Sequence, residues 1–270
     1  MILPPTLAAS PLAARLAAAL YAIRGAGAGL LALRGSIAGT EGPGGQLKTS
    51  IDLAAEGWVL GFLEGEFPGG TFLAEERFDR AGAPWPGATD YWTVDALDGT
   101  RSFVDGFPGF CVQVGYVSAG TPVLGAIYEP TADTLDAAAR GAGAFLHRDG
   151  TWSPLSASTL TSLSPGLRFV DSTRPTGALA TALSAYQFVE CGSVGLKLCR
   201  VLSNDADLYA KPFHPKLWDV APGEAIAREL GITVLSWSGA PFDYAGTRTH
   251  YDGVLAGRAP LLDELMQQLE

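Results

Sequence analysis

The chain has 270 residues, 47% of them hydrophobic and 17% charged, so it can bury a large core and is not a disordered protein. Its net charge of −10 argues against the basic face that binding to a nucleic-acid backbone requires. Its cysteines are odd in number and lie in apolar segments, which predicts free, buried thiols in a reducing cytoplasm (Cys111, Cys191, Cys199).

The N-terminal segment predicts two helices. In the first, over 12–24, Leu12, Leu16, Leu20 and Ile23 recur at helical spacing. Arginines interrupt the apolar run, which favours a helix packed on the domain over a signal peptide or a membrane span. A glycine-rich loop is expected over 39–45. The second helix begins near Asp52, and Pro68-Gly69-Gly70 ends it.

The middle of the chain predicts strands at short intervals. They cover 71–74, 92–94, 110–117, 123–128, 134–138 and 144–147, and Gly, Pro and Asp between them indicate an antiparallel meander. Beyond about residue 160, strands at 167–170, 187–191 and 206–210 alternate with helical segments, which is typical of an α/β unit. The Ser- and Thr-rich stretch over 153–164 separates an N-terminal α+β half (1–155) from a C-terminal α/β half (156–270).

The run over 92–103 carries most of the chemical information. A short apolar strand precedes Asp95 and Asp98, and Gly99 and Thr100 follow directly. Carboxylates fixed at a strand end suit hard cations such as Mg²⁺, which prefer oxygen ligands. Glycine lets backbone N–H groups approach an anion closely, and threonine adds a hydroxyl. Alone, however, Asp-x-x-Asp-Gly is also a common turn sequence.

Two further acidic segments agree with a metal site. Glu75 and Glu76 follow the strand at 71–74, and Trp218-Asp219 begins a helix. Together with the Asp95–Thr100 run, these segments resemble the inositol monophosphatase family, which consists of Mg²⁺-dependent phosphomonoesterases. The resemblance extends from about Lys48 to the C-terminus. A structural Ca²⁺ domain would instead cluster its acidic residues in one loop.

The resemblance implies a fold, a cofactor and a set of ligands. The fold is the sugar phosphatase fold, an α/β (α+β) protein built as a five-layered α-β-α-β-α sandwich. The protein is expected to be a cytoplasmic homodimer with no membrane partner, and to use two or three Mg²⁺ ions. The implied metal ligands are the side chains of four acidic residues and one backbone carbonyl (Glu75, Asp95, Leu97, Asp98, Asp219), with Glu75 favoured over Glu76.

The resemblance also implies a way of activating water. The segment from Lys48 to Asp52 is similar to a family element that places an aspartate just before a helix. There Asp52 would hydrogen-bond the hydroxyl of Thr100, and this pair, with Glu75, would activate the attacking water. Asp52 is equally suited to cap its helix, and so is Asp219.

Substrate contacts are implied for Gly99 and Thr100 and for three residues further along the chain (Gly192, Ser193, Lys197). Inositol-processing members carry a glutamate near Lys211; here lysines stand in that stretch, which suggests an additional anionic group on the substrate. A small phosphorylated polyol of the inositol-monophosphate type is the leading substrate. The alternatives are adenosine 3′,5′-bisphosphate, histidinol phosphate, fructose 1,6-bisphosphate, or a non-catalytic family member.

Overall fold

A computed structural model describes residues 1–35, 40, 41, 47, 48, 50–82 and 84–269. Its helices are α1 (Pro5–Ala8), α2 (Ala13–Leu33), α3 (Ser50–Glu66), α4 (Glu75–Ala81), α5 (Thr100–Val104), α6 (Gly177–Ala182), α7 (Val194–Leu202), α8 (Leu217–Leu230) and α9 (Ala259–Leu269). Of the loop predicted over 39–45, only the backbone at 40 and 41 is described. Thr49 and the side chain of Lys48 lie outside the described part of the chain.

The strands form one large sheet and several smaller ones. They are β1 (Thr40–Glu41), β2 (Leu47–Lys48), β3 (Phe72–Ala74), β4 (Tyr91–Asp98), β5 (Cys111–Ser118), β6 (Thr121–Glu129), β7 (Thr134–Ala139), β8 (Ala144–Arg148), β9 (Thr151–Pro154), β10 (Leu167–Asp171), β11 (Tyr186–Glu190), β12 (Tyr209–Lys211), β13 (Thr233–Leu235) and β14 (Val254–Gly257). Seven of them, β3 to β9, pair in chain order. The predicted antiparallel meander is confirmed from β4 to β9, and β3 joins β4 in parallel.

Helices α2 and α3 cover one face of the large sheet. Side chains alternate along β4, so Trp92 and Val94 pack with these helices and Tyr91 packs on the opposite face. Helix α2 runs nine residues beyond the predicted end at 24, because Ala26 and Leu30 are also buried there. By length and composition α2 could cross a membrane, but half of its most apolar window is buried within the protein. That burial supports a core helix.

Helices α7 and α8 cover the opposite face, and α8 lies very close to the sheet. A Cβ atom built on Gly125 of β6 would overlap the carbonyl oxygen of Pro222. Glycine is therefore needed at this strand position for close approach of the helix backbone. The contact holds α8, and with it Asp219, against the large sheet.

A second sheet completes five layers. Strand β14 lies between β12 and β13, and a bridge from Phe169 to Leu208 links this sheet to β10 and β11. Along β12, Tyr209 packs toward α7 and α8, whereas Ala210 packs toward α6 and α9. The predicted α-β-α-β-α sandwich is confirmed. The strand predicted at 206–210 is wrong in its bounds, since pairing with β14 covers only 209–211.

Candidate metal and phosphate site

The carboxyl-terminal ends of β3 and β4 bring two acidic residues together. Because these strands are parallel with Ala74 opposite Val94, the residues that follow, Glu75 and Asp95, emerge side by side. Strand β4 continues to Asp98, beyond the predicted end at 94, and its register shifts between Asp95 and Asp98. Such an irregularity re-aims side chains at the end of a strand.

Asp219 joins this pair from the first turn of α8. Carboxylate oxygens of Glu75, Asp95 and Asp219 all lie within 4.8 Å of one another. We call these three residues the carboxylate cluster. They line a cavity of about 310 Å³ whose walls also include Glu76, Leu97, Asp98, Gly99, Thr100, Arg101, Val194, Phe213, His214 and Lys216.

The carboxylate cluster brings several acidic groups together in a buried place. Burial raises the pKa of Asp95 well above its usual value, and the neighbouring charges of Glu75 and Asp98 add to that effect. Burial also raises the pKa of Asp219, again with Glu75 and Asp98 contributing. Like charges held together in a low dielectric favour protonation unless a cation compensates them.

The donor set fits a hard divalent cation. All the side-chain donors in the carboxylate cluster are oxygens, the ligand type that Mg²⁺ and Ca²⁺ prefer. One oxygen from each of the three residues lies within 4.8 Å of the other two, so the carboxylate cluster offers three oxygen ligands to a single ion. Glu75, Asp95 and Asp219 are the residues that would hold it.

Asp98 lines the same cavity but lies outside the carboxylate cluster. Its Oδ2 accepts hydrogen bonds from the backbone N–H of Gly195 at 2.7 Å and from Nε2 of Gln113 at 3.1 Å. Burial raises the pKa of Asp98, while the Gly195 bond acts against that rise. An N–H group in the first turn of α7 thus receives the Asp98 carboxylate.

Asp52 and Thr100 meet as the resemblance implied. Thr100 donates its hydroxyl hydrogen to Oδ1 of Asp52 at 2.9 Å, and its Oγ1 also lies 3.3 Å from the carbonyl oxygen of Leu97. Asp52 stands in the first turn of α3 and is 5% exposed. Gly99, before Thr100, has φ = 94°, a left-handed conformation that favours glycine.

Glu56 is a buried support that the sequence interpretation missed. Its carboxylate accepts backbone N–H bonds from Glu76 at 2.6 Å and Arg77 at 2.8 Å, so it caps α4 directly after Glu75. Burial raises the pKa of Glu56 to about 7. Its position four residues after Asp52, on the same face of α3, was the available signal.

The other predicted substrate residues are arranged differently. Lys197 and Lys211 both pair with Asp171, at 3.2 Å and 2.9 Å, and Lys197 is buried. Gly192 packs against Gly109, and the hydroxyl of Ser193 caps α7 by accepting the N–H of Leu196 at 3.1 Å. Of the residues implied to contact substrate, Gly99 and Thr100 line the cavity. The sequence interpretation missed Asp171, which lies at the end of β10. The available signal was an acidic residue directly after the strand predicted at 167–170.

Lys216 is the third residue whose position in the site the sequence interpretation missed. Its Nζ lies 2.7 Å from Oε1 of Glu75, and its backbone N–H donates to Oδ2 of Asp219 at 2.8 Å. The sequence shows this lysine three residues before Asp219, but nothing in the pattern joins it to Glu75. The carboxylate cluster is therefore partly neutralised by the protein itself.

Comparison with known proteins shows which family this chain is similar to. A family model described as the inositol monophosphatase family matches residues 14–268. "Inositol monophosphatase 3" of Solanum lycopersicum is 33% identical over 235 residues, which cover 83% of this chain and 84% of the relative. "3'(2'),5'-bisphosphate nucleotidase CysQ" of Escherichia coli (strain K12) is 30% identical over 201 residues, covering 73% and 78%. The solved structure of inositol monophosphatase from Anabaena (Nostoc) sp. PCC 7120 has a TM-score of 0.75 and 26% identity, and covers 96% of each chain.

Proposed function

Because the chain belongs to the inositol monophosphatase family and is a phosphoric monoester hydrolase, we propose that it is Mg²⁺-dependent and hydrolyses a small phosphorylated polyol of the inositol-monophosphate type. The observation that carries this proposal is the carboxylate cluster. Three buried or half-buried carboxylates converge on one cavity next to a hydroxyl that is hydrogen-bonded to a fourth. This arrangement suits the hydrolysis of an anionic ester better than a purely structural role.

The two halves of the chain share the proposed metal ligands. Residues 1–155 supply Glu75, Asp95, Asp98 and the carbonyl of Leu97, and residues 156–270 supply Asp219. Two or three Mg²⁺ ions bound here would neutralise the phosphate, acidify a water and stabilise the leaving oxygen. Asp98, held by Gly195 and Gln113, would keep a fixed position on the cavity wall beside the carboxylate cluster.

The residues of the chain orient the attacking water. Since Asp52 holds the hydroxyl hydrogen of Thr100, an oxygen lone pair of Thr100 is left to accept a hydrogen from water. Glu75 would accept the proton as the water oxygen bonds to phosphorus and the ester P–O bond breaks. The leaving alkoxide takes up a proton from solvent to become the alcohol, and inorganic phosphate remains. Gly99 would let backbone N–H groups approach the phosphate closely.

Phosphate release from a panel of monoesters tests this function. The panel contains inositol 1-phosphate, histidinol phosphate, fructose 1,6-bisphosphate and adenosine 3′,5′-bisphosphate, each with Mg²⁺ and with excess chelator. We expect metal-dependent release that is fastest from inositol 1-phosphate. A folded protein that releases phosphate from none of them would contradict the proposal and favour a non-catalytic family member.

A second candidate substrate is adenosine 3′,5′-bisphosphate. A cavity of about 450 Å³ is lined by Asp171, Arg174, Lys211, Trp237 and neighbouring residues. Two lysines share the single carboxylate of Asp171, so the group keeps a net positive charge suited to a second phosphate. Trp237 offers an aromatic surface for a base. The relative named as a bisphosphate nucleotidase adds support for this substrate.

The kinetics of the Lys211→Met variant distinguish between the two candidate substrates. If the second phosphate binds here, the variant loses most of its kcat/KM for adenosine 3′,5′-bisphosphate and keeps that for inositol 1-phosphate. A uniform change in both values would contradict the nucleotide assignment. Arg140→Met, which removes a positive charge from an exposed residue outside both cavities, serves as the control for general effects of substitution.

We also propose that the protein is a cytoplasmic homodimer. All three cysteines are free and buried, which supports a reducing compartment. Large apolar side chains are exposed on α2 and α3, among them Tyr21 and Trp58, and a partner subunit would cover such residues. Sedimentation velocity over a range of concentrations tests the oligomeric state, and a monomer throughout would contradict it.

A further inference from the structure

We propose that the ammonium group of Lys216 is a tethered cation that competes with a divalent metal ion for the carboxylate of Glu75. This inference rests on the metal-dependent function proposed above. It makes Lys216 a positioning residue that sets how tightly the carboxylate cluster binds metal. The evidence is the position of its Nζ, 2.7 Å from Oε1 of Glu75.

The lysine is fixed in this position by the fold. Its side chain is only 6% exposed, and its ammonium lies 5.4 Å from the centre of the Trp218 ring, within range of a cation–π interaction. A bridge between Lys216 and His250 anchors its backbone, and the N–H of Leu217 donates to the carbonyl of Thr249 at 3.0 Å. An exposed lysine could swing into solvent, whereas this one is enclosed beside the carboxylates.

Its charge is stabilised by the same carboxylates that would hold a metal. Its Nζ lies 2.7 Å from Oε1 of Glu75, and the carboxylate of Asp219 accepts the backbone N–H of the same lysine at 2.8 Å. A divalent ion that binds Glu75 must displace this ammonium or tolerate its repulsion at short distance.

Lys197 and Lys211 do not share this arrangement. Lys197 and Lys211 both pair with Asp171, away from the carboxylate cluster. Lys211→Met therefore removes the same charge with the same change of side chain, and it leaves Glu75 untouched. It is a matched control for metal binding.

Mn²⁺ binding to the whole protein, followed by calorimetry and by electron paramagnetic resonance without substrate, tests the inference. We expect Lys216→Met to bind Mn²⁺ at least about tenfold more tightly than the parent, because a charge close to the ion has been removed. Lys211→Met should match the parent. If Lys216→Met does not fold without metal, Lys216→Gln keeps a hydrogen-bond donor for Glu75 and should show the same tightening.

The outcomes separate this inference from the proposed function. Equal Mn²⁺ affinity in the parent and in the Lys216 variants would overturn the competition and leave the metal site intact. Mn²⁺ binding to Lys216→Met but not to the parent would be the strongest support. Failure of every variant and of the parent to bind Mn²⁺ would contradict both the inference and the metal-dependent function.

Discussion

The hydroxyl of Thr100 links the strand that carries three predicted metal ligands to the helix that carries Asp52. Its hydrogen is directed to Asp52, and its oxygen lies 3.3 Å from the Leu97 carbonyl. An oxygen whose own hydrogen is held elsewhere can accept a hydrogen from water. Thr100 therefore acts with Asp52 as one unit in the proposed reaction.

Replacing Thr100 tests that unit. We expect Thr100→Val, which has nearly the same shape but no hydroxyl, to lower kcat by about 10²- to 10⁴-fold, the usual contribution of a positioned acid or base. Thr100→Ser keeps the hydroxyl and should retain most of the activity. Steady-state phosphate release measures both variants. Equal kcat for the Val and Ser variants would show that the hydroxyl does not take part.

At the residue scale, the sequence predicted those contacts that a local motif contains. Asp95, Asp98 and Thr100 lie within six residues, and the hydrogen bond from Thr100 to Asp52 followed from the family resemblance. The pair of Lys216 and Glu75 joins residues 141 positions apart. Such a contact depends on how α8 docks on the large sheet, and no local pattern in a single sequence reports that docking.

At the scale of elements, the packing of α8 on the large sheet positions Asp219. The glycine at 125 lets the backbone of the helix approach β6, and a side chain there would meet the carbonyl of Pro222. Interiors are packed closely enough that one added methyl group must move its neighbours. The position of Asp219 in the carboxylate cluster therefore depends on a residue far from it in sequence.

Gly125→Ala should destabilise the protein by about 1–3 kcal/mol, as overpacking of a core usually does. It should also weaken Mn²⁺ binding, because α8 carries Asp219. Gly57→Ala is the matched control: Gly57 lies on the exposed face of α3 with open space around it, so alanine there should stabilise by about 0.5–1 kcal/mol. Urea denaturation measures the unfolding free energy of both variants. An unchanged unfolding free energy in Gly125→Ala would contradict the close approach of α8 to β6.

The sequence predicted the central strands of the meander better than the short elements near the C-terminus and the helix after β3. Strands β5 to β8 were predicted to within about two residues, because alternating apolar side chains and turn residues define them. Strands β13 and β14 and helix α4 are three to seven residues long and were not predicted. Their residues adopt these conformations through pairing and capping by distant segments, such as the Glu56 carboxylate at the start of α4.

At the scale of the whole molecule, buried acids make stability depend on pH. Asp136 on β7 is 5% exposed, and burial raises its pKa to about 7, although the neighbouring Cys199 and Arg200 act against that rise. Its Oδ1 has no hydrogen-bond partner among the residues that the structure describes. The native protein thus holds a proton that the unfolded chain releases near pH 3.8.

The sign of the pH effect follows from this proton. Between about pH 4 and pH 7 the native state binds more protons at Asp136 than the unfolded state, so stability falls as pH rises through this range. Asp136→Asn mimics the protonated acid and should remove that loss. The variant should gain stability over the parent with rising pH, by at most about 4 kcal/mol, and level off above pH 7. A pH-independent difference in unfolding free energy would contradict the assignment.

The measurement that tests the carboxylate cluster most directly compares two aspartates of the same strand region. Asp95→Asn removes a carboxylate from the cluster, whereas Asp90→Asn alters an exposed residue hydrogen-bonded to Ser118. With saturating Mg²⁺ and inositol 1-phosphate, we expect Asp95→Asn to lose at least about a hundredfold in turnover and Asp90→Asn to match the parent. If a folded Asp95→Asn variant turned over as fast as Asp90→Asn, the cluster would not be the catalytic metal site.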